Sequence, residues 1–480
     1  MVTTIERHLP RVVVVIGCVF VPVGVPPTTL AGARALASPR DRGGVPQGVV
    51  GSGPIVLRTV RVGLRPGAIA VDERTRRAFV VDAGLVKANG HPGGRGSVSV
   101  LDAGTGAVVR TTAVGAGADG VAIDELAGRA FIANAGDSTV SVLDAGTGAV
   151  VRTTAVGADA GGPGGQVPVA VVADARIGRV LVPTSDGMRG ALIVLDSRTG
   201  AVRQTLTGYG PGIQVAVDDR DGKAFVGDTI ERAGQGSPAR ISIIDPMSGA
   251  TRRTFTLPAA SDAASVFPDK IGGLAVDARA GRLVVAHAAI GGRAEDVEAG
   301  PPSAVNILDA ATGAVRATTT VVGLADVIAI DQGAGRAVVA APCDAAAGAP
   351  ACQARVSVLD IGRGAVRGVS RLPTSSATTD RTYRAYPRAV VVSVAADEHQ
   401  GRAFVSFQTV ATTQDGDEAL GTGQVAIVNT GTGRLVRTIA VGKGGGGIAV
   451  APHERRVFVA NRDDGTVSVL DANAVGVGMP

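Results

Sequence analysis

Short apolar runs alternate with turn residues along most of the chain, and they follow one another in a fixed order. Between residues 120 and 157 the runs are GVAID, GRAFIAN, TVSVLDA and AVVRTTAVG. Each run is rich in Val, Ile, Ala and Thr and is bounded by Gly or Asp, which is typical of a β-strand between tight turns. The pattern therefore predicts a unit of four short strands.

The four-strand unit recurs along the chain. The 19 residues VSVLDAGTGAVVRTTAVGA occur identically at 98–116 and at 140–158, which identifies an internal repeat. The ends of successive first runs are 44 to 66 residues apart, a period that favours the blades of a propeller with loops of variable length. The first run occurs eight times, at residues 68–72, 120–124, 170–174, 214–218, 273–277, 327–331, 393–397 and 447–451.

The two ends of the repeat region complete one another. A fourth run, IVLRTVRVG at 55–63, precedes the first unit, while the last unit stops after its third run at 466–472. Pairing these ends would close a ring and leave no open sheet edge. We therefore predict an all-β propeller over residues 55–472, with four-stranded antiparallel blades. Eight blades are counted, with seven as the alternative because the units after residue 323 are the most diverged.

The repeats resemble the YVTN family of β-propeller repeat proteins. Its blades are similar to GRAFIAN, then TVSVLDAGTGAVVRT, then AVG and a Gly-rich turn, and Asn134 and Asn461 fall at the Asn of that motif. The resemblance implies a propeller, usually of seven blades, in an exported or surface-associated protein of unassigned activity. Similar propellers include lactonase-like and lyase-like enzymes.

The first 37 residues have the pattern of a secretory signal peptide. Basic Arg7 and Arg11 precede an apolar run at 12–25, and Ala35-Leu36-Ala37 forms a small-residue cleavage site. We therefore expect an extracytoplasmic protein, with a linker at 38–54 and a C-terminal tail at 473–480. One alternative is a membrane anchor, for which the prolines at 22, 26 and 27 leave only a short apolar span. The other is a lipoprotein acylated at Cys18.

Net charge and aromatic content limit the classes of partner that the protein is expected to bind. The net charge is +5, and it falls to +3 without residues 1–37, which argues against nucleic-acid binding. The chain has no Trp, 3 Tyr and 9 Phe, so aromatic platforms for sugars or quinone cofactors are scarce. We expect a monomer that binds a protein or a cell-surface polymer. Cys343 and Cys352 would form a local disulfide after export, with free thiols or a metal as alternatives.

Connection lengths predict which face of the disc binds. The first-to-second and third-to-fourth connections are short and uniform, whereas the other two vary, as at 287–303, 373–389 and 407–423. In an antiparallel blade the two variable kinds emerge on the same face, and variable loops on a rigid scaffold commonly carry binding residues. Tolerance of insertions at surface loops explains the same pattern.

Polar residues end most of the second runs, at the mouth of this face. One interpretation is a ring of side chains that binds a cation or a polar ligand. The other is that each residue caps its own loop through hydrogen bonds. The strand-end residues are Asp82, Asn134, Thr184, Asp228, His287, Ala341, Phe407 and Asn461. The loop RTYRAYPR adds Tyr383, Arg384 and Tyr386, either as a contact patch or as a loop anchored by buried tyrosines.

Two acidic loops offer oxygen ligands that calcium prefers, Glu295, Asp296 and Glu298 in one and Asp415, Asp417 and Glu418 in the other. Neither matches a complete calcium loop, so solvated charged loops are the alternative. We expect no cofactor, with calcium as the exception.

Catalytic motifs are absent from the sequence: there is no G-x-S-x-G, H-E-x-x-H or C-x-x-C-H run. The least implausible catalytic residues are His287, Asp228 and Glu295. We therefore predict a non-catalytic scaffold that binds a protein or polymer through the variable face. The alternative is a lactonase-like or lyase-like propeller enzyme with a cation or His-based site at the channel mouth.

Overall fold

The protein folds into strands and turns. A computed structural model describes residues 55–85, 94–157, 165–210, 212–229, 238–258, 269–289, 303–323, 325–341, 354–373, 388–412 and 418–473. Within these ranges the chain forms 33 strands in eight antiparallel sheets and no helix.

The first four blades follow one another directly along the chain. Blade 1 is β2 (Pro66–Asp72), β3 (Arg77–Asp82), β4 (Arg95–Asp102) and β5 (Val108–Ala116). Blade 2 is β6 (Ala118–Asp124), β7 (Arg129–Asn134), β8 (Thr139–Asp144) and β9 (Val150–Ala155). Blade 3 is β10 (Val167–Pro168), β11 (Val172–Asp174), β12 (Arg179–Ser185), β13 (Gly190–Asp196) and β14 (Val202–Tyr209). Blade 4 is β15 (Gln214–Asp218), β16 (Lys223–Thr229), β17 (Ala239–Ile244) and β18 (Thr251–Thr256).

The last four blades include the one that joins both ends of the chain. Blade 5 is β19 (Asp269–Asp277), β20 (Arg282–Ala289), β21 (Ser303–Asp309) and β22 (Val315–Val321). Blade 6 is β23 (Val327–Asp331), β24 (Arg336–Ala341), β25 (Arg355–Asp360) and β26 (Ala365–Arg371). Blade 7 is β27 (Arg388–Asp397), β28 (Arg402–Thr412), β29 (Glu418–Asn429) and β30 (Leu435–Lys443). Blade 8 is β31 (Gly445–Ala451), β32 (Arg456–Asn461) and β33 (Thr466–Asp471), completed by β1 (Val56–Arg61).

The ring closes in blade 8 as the sequence predicts. Strand β1 pairs antiparallel with β33, with Val60 opposite Val467 and Arg61 opposite Thr466. The innermost strand of each blade contacts those of the two neighbouring blades, and β31 meets β2 to complete the circle. The eight blades, their four-stranded antiparallel order and the closure are therefore confirmed.

The hydrophobic core lies between the blades. Eight clusters of buried side chains fill the spaces between sheets, and each draws its residues mainly from two adjacent blades. At the closure, Ile69 and Val80 of blade 1 pack with Phe458 and Val469 of blade 8, all of them buried. Burying apolar area on both faces of each sheet is the main stabilising term, so every blade depends on its neighbours.

Glycines in the third-to-fourth turns bring neighbouring blades together. Gly148 of blade 2 has φ +70°, and a Cβ built on it would lie 2.9 Å from Val100 Cγ2 of blade 1. The Thr112 hydroxyl of blade 1 also donates to the Gly148 carbonyl at 2.7 Å. A side chain here would meet both backbone strain and a packed neighbour, which explains the Gly in each of these turns.

Two details differ from the sequence prediction. In blade 3 only the last three residues of the run at 170–174 form a strand, β11, and the separate strand β10 precedes the run; each pairs with β12. Pro183 of β12 lies between the two pairings and has no N–H to donate to the ladder. In blade 7 the connection at 407–423 was predicted to be a loop. The structure instead extends β28 to Thr412 and begins β29 at Glu418. Three of the four residues at 409–412 are β-branched, which suits a strand.

Prediction for the glycine contact: Gly148→Ala lowers the free energy of unfolding by about 2–3 kcal/mol, from the left-handed backbone and the clash with Val100. The matched control is Gly128→Ala, where φ is +64° and no atom lies within 4 Å of the added Cβ. It should cost only about 1 kcal/mol. Denaturant melts measure both, and equal losses would contradict the inter-blade contact.

Candidate binding face

The two faces of the disc differ in their connections. Connections from second to third strands and from outer to next inner strands emerge together, and we call this the loop face. The tight turns emerge on the opposite side, the turn face. Several predicted residues lie outside the described part of the chain: Tyr383, Arg384, Tyr386, Glu295, Asp296, Glu298, Asp415, Asp417, Cys18, Cys343 and Cys352. The side chain of Glu418 lies outside it as well.

The polar strand-end residues lie beneath the loop face and not on it. Asp82, Asn134, Asp228, His287 and Asn461 have fully buried side chains, each at 0% exposure. Buried polar groups must find hydrogen-bond partners inside the protein or lose the energy of hydration. Their partners therefore decide what these residues do.

Asn134 and Asn461 make the same contacts in blades 2 and 8. The Nδ2 of Asn134 donates to Thr139 Oγ1 at 3.0 Å and to Ser141 Oγ at 2.9 Å, both on the next strand. Asn461 repeats this pattern with Thr466 at 2.9 Å and Ser468 at 3.0 Å. Each amide thus ties its second strand to its third where the connection leaves the sheet.

The Asn461 amide also fastens one blade to the next. The Gly442 N–H of blade 7 donates to Asn461 Oδ1 of blade 8 at 3.1 Å. A Cβ built on Gly442 would lie 2.6 Å from Asn461 Cγ, and one on Gly115 of blade 1 would lie 2.7 Å from Asn134 Cγ. A glycine is required in each connection because the backbone lies directly against the buried amide.

Asp82 occupies the equivalent position in blade 1 with a carboxyl group. Ser97 and Ser99 donate to its Oδ2, each at 3.0 Å. Burial raises the pKa of the Asp82 carboxyl to about 6, against the opposing effect of bonds from Ser99, Ser97 and the Gly63 N–H. The charged form is therefore costly at neutral pH.

Asp228 of blade 4 is held by an arginine. Arg240 donates through Nε to Asp228 Oδ1 at 2.8 Å and through Nη2 to Oδ2, while the Gly210 N–H donates to Oδ2 at 2.7 Å. The Arg240 guanidinium also lies 6.0 Å from the centre of the Tyr209 ring. This bidentate ion pair occupies both carboxylate oxygens. Sequence reasoning missed this ion pair, because Arg240 lies on the following strand, across a loop.

His287 of blade 5 is part of a buried chain of side chains. Its Nε2 accepts from Asn306 Nδ2 at 2.7 Å, and Asn306 Oδ1 accepts from the Thr318 hydroxyl at 2.6 Å. Asn306 replaces the serine found at this place in blades 1, 2 and 8. The Asn306 side chain is larger than serine and contacts an imidazole that is larger than the Asn or Asp of those blades. The hydrogen bonds from His287 through Asn306 to Thr318 join three successive strands.

The remaining strand ends are less polar. Thr184 donates to Gln166 Oε1 at 2.9 Å, whereas Ala341 and Phe407 are buried apolar side chains. The structure therefore does not form one ring of eight converging polar groups. It places separate polar networks within single blades or across one blade junction.

A second set of aspartates holds the loop face together and was missed in the sequence. Asp137 Oδ2 accepts from the Ala116 N–H at 2.7 Å, and Asp464 Oδ2 accepts from the Lys443 N–H at 2.6 Å. Both follow a buried Asn in the spacing N-x-x-D-x-T, at 134–139 and 461–466. That spacing is the signal that identifies them.

The other described histidines lie on the turn face. The His399 and His453 rings have centroids 6.2 Å apart, and His453 Nδ1 lies 2.5 Å from Glu73 Oε2. Burial raises the pKa of the Glu73 carboxyl. In the described ranges, no group of three or more His, Cys, Asp or Glu side chains is placed to hold a metal ion. Nor do those ranges contain a helix long and apolar enough to cross a membrane.

Comparison with known proteins shows the fold. BamB from Moraxella catarrhalis is 15% identical with a TM-score of 0.51, covering 87% of this chain and 99% of its own. The Dos1 propeller is 10% identical with a TM-score of 0.53, covering 87% and 94%. NirN, a dihydro-heme d1 dehydrogenase solved in complex with DHE, is 13% identical with a TM-score of 0.51, covering 81% and 68%.

At these identities the likeness extends to the fold alone. No protein-family model and no curated protein matches the chain. The resemblance to the YVTN family therefore stays a prediction, while the eight-bladed propeller is shown.

Prediction for the strand-end carboxyl: Asp82→Asn raises the free energy of unfolding at pH 7 by about 1–3 kcal/mol, because it removes a buried charge. The folded state of the native protein binds more protons than the unfolded state between pH 3.8 and about 6, so this group's stabilisation falls as pH rises through that window. The variant should lose that part of the pH dependence.

The reciprocal variant Asn134→Asp is the matched control, because it places a carboxyl among the same kinds of partner. It should lower stability at pH 7 and recover part of the loss at pH 5. Denaturant melts across this range measure both variants. A stabilising Asn134→Asp, or an unchanged pH profile for Asp82→Asn, would contradict the assignment.

Proposed function

We propose that the protein is a non-catalytic propeller scaffold that binds a protein or polymer partner through the connections of the loop face. The observation that carries the proposal is the burial of the polar strand-end residues at 0% exposure. These groups stabilise the blades, so the variable connections above them are left to provide the contacts. A rigid scaffold with variable loops on one face is a common arrangement for recognition.

The alternative, a lactonase-like or lyase-like enzyme, is not favoured. A catalytic acid, base or nucleophile must reach a substrate atom within hydrogen-bond distance. His287 and Asp228 are both inaccessible to solvent and lie in different blades, each bonded to its own third strand. The alternative would require the blades to rearrange, or a site built from other residues.

We also propose that the protein acts outside the cytoplasm. Support comes from the basic, apolar and small-residue order of residues 1–37, which is typical of an export signal. A cell-surface or secreted scaffold would meet its protein or polymer partner there. The acylated Cys18 form is a variant of the same proposal.

Prediction for the scaffold role: adding a chelator to the full-length protein leaves its melting temperature within about 1 °C, because none of the proposed contacts uses a cation. Calcium and zinc should not raise the melt, and a panel of lactones should not be hydrolysed. Calorimetry and a hydrolysis assay check this. Chelator-sensitive stability, together with lactone turnover, would overturn the proposal in favour of the enzyme.

Prediction for the loop face: replacing residues 290–302 and 342–353 by the short turn 135–138 of blade 2 abolishes capture of the partner by the full-length protein. Both strands flanking each connection are kept, so the melt should stay close to that of the native protein. The control is Leu126→Ser with Arg455→Ser, two exposed turn-face positions, which should keep binding. If only the control loses capture, the partner contacts the turn face and the prediction is wrong.

A further inference from the structure

The outer strands divide the rim of the disc into two halves. In blade 1, Arg110 of β5 pairs with Val100 of β4 and Val109 falls at the register shift beside it, and the other blades repeat this arrangement. Blades 7, 8, 1 and 2 have an aliphatic residue and then Arg at these positions: Val436–Arg437, Leu57–Arg58, Val109–Arg110 and Val151–Arg152. Blades 3 to 6 have Arg first: Arg203–Gln204, Arg252–Arg253, Arg316–Ala317 and Arg367–Gly368.

In blades 3 to 6 the arginine at the first of these two positions forms an ion pair within its own blade, whereas Arg253, at the second position of blade 4, donates to the Thr312 carbonyl of blade 5. Arg203 lies 2.8 Å from Asp196, Arg316 lies 2.8 Å from Asp309, and Arg367 lies 2.8 Å from Asp360. Arg252 pairs with Asp245 at 2.6 Å in the same way. Each aspartate belongs to the hairpin before the outer strand, and Asp196, Asp309 and Asp360 each also face a second-strand arginine.

In the other half, the hairpin carboxylates have different partners. Asp102 pairs with Arg77 at 3.1 Å and Asp144 with Arg129 at 2.7 Å, both from second strands. Blade 7 has the uncharged Asn429 at this place. Within β30, β1, β5 and β9 there is no acidic residue at all. We call Arg437, Arg58, Arg110 and Arg152 the rim arginines.

Two of the rim arginines, Arg110 and Arg152, lie where neighbouring blades meet. Arg110 Cδ is 3.2 Å, and Arg152 Cδ 3.4 Å, from the Cβ position of the turn glycine in the next blade, Gly148 and Gly200. Each Nε donates to a threonine on its own strand at 3.1 Å, to Thr112 and Thr154 respectively. These bonds orient the guanidinium groups of Arg110 and Arg152. The side chains of Arg58, Arg110 and Arg152 are exposed, and that of Arg437 is half-buried.

The side chains around each rim arginine indicate the class of ligand. Every one is preceded by Val or Leu and followed by Thr, as in Leu57-Arg58-Thr59 and Val109-Arg110-Thr111. Guanidinium groups bind carboxylates through two parallel hydrogen bonds, while the hydroxyls and methyl groups suit sugar hydroxyls and ring C–H groups. None of the four strands has an aromatic residue, which base stacking in single-stranded nucleic acid would use.

We infer that the rim arginines of blades 7, 8, 1 and 2 form a binding surface for a carboxylate-bearing polysaccharide that runs along the edge of the disc. Four consecutive blades repeat one contact unit, so a polymer with repeated charges engages several units at once and gains affinity from that multiplicity. This surface is separate from the loop face and does not depend on its function.

The test compares two full-length variants with the same change in net charge. The first is Arg58→Gln, Arg110→Gln, Arg152→Gln and Arg437→Gln, and the second is Arg203→Gln, Arg252→Gln, Arg316→Gln and Arg367→Gln. Binding to polygalacturonate at low salt is measured by affinity electrophoresis or interferometry, with dextran as the neutral polymer. The native protein should bind polygalacturonate and not dextran, and the first variant should bind at least tenfold more weakly.

The second variant should stay within about twofold of the native protein. Both variants are first melted, and Arg110→Gln alone, which should weaken binding less, replaces the fourfold variant if that one unfolds. Three results would overturn the inference: no binding of polygalacturonate by the native protein, equal weakening in both variants, or tighter binding of double-stranded DNA that the first variant also loses.

Discussion

Every blade of this protein depends on packing against two other blades. A sheet without helices has two faces to bury, and here each face is buried against the neighbouring sheet by one of eight apolar clusters. An incomplete ring would expose two of those faces. The pairing of β1 with β33, which completes blade 8 from the two ends of the chain, is therefore the constraint on which the rest of the structure depends.

The fastening of strand ends follows from the same constraint. Where the chain passes from one blade to the next, a buried Asn or Asp binds the third strand and the arriving glycine, as Asn461 binds Ser468 and Gly442. Such groups have the chemistry of a binding site, but their hydrogen bonds are made inside the protein. Our two proposals therefore assign recognition to the connections above them and to the outer strands.

The sequence predicts the fold much better than the site. Exact repetition of 98–116 at 140–158 identifies the blade, and the unmatched run at 55–63 identifies the closure, because both follow from order along the chain. Burial of Asp82 and His287 does not follow, since the same residue types cap loops and bind ligands. Their partners Ser99 and Asn306 become visible only through strand register. The separation of β10 from β11 depends on Pro183, which lies on β12, the strand that both of them pair with.

Hydrogen exchange of the full-length protein tests the closed ring most directly. Amides of β1 and β33 should be protected to the same degree as those of β8 and β9, which hold the equivalent places in blade 2. Rapid exchange over Val56–Arg61, with protection retained in blade 2, would show that the two ends do not pair and would contradict the account.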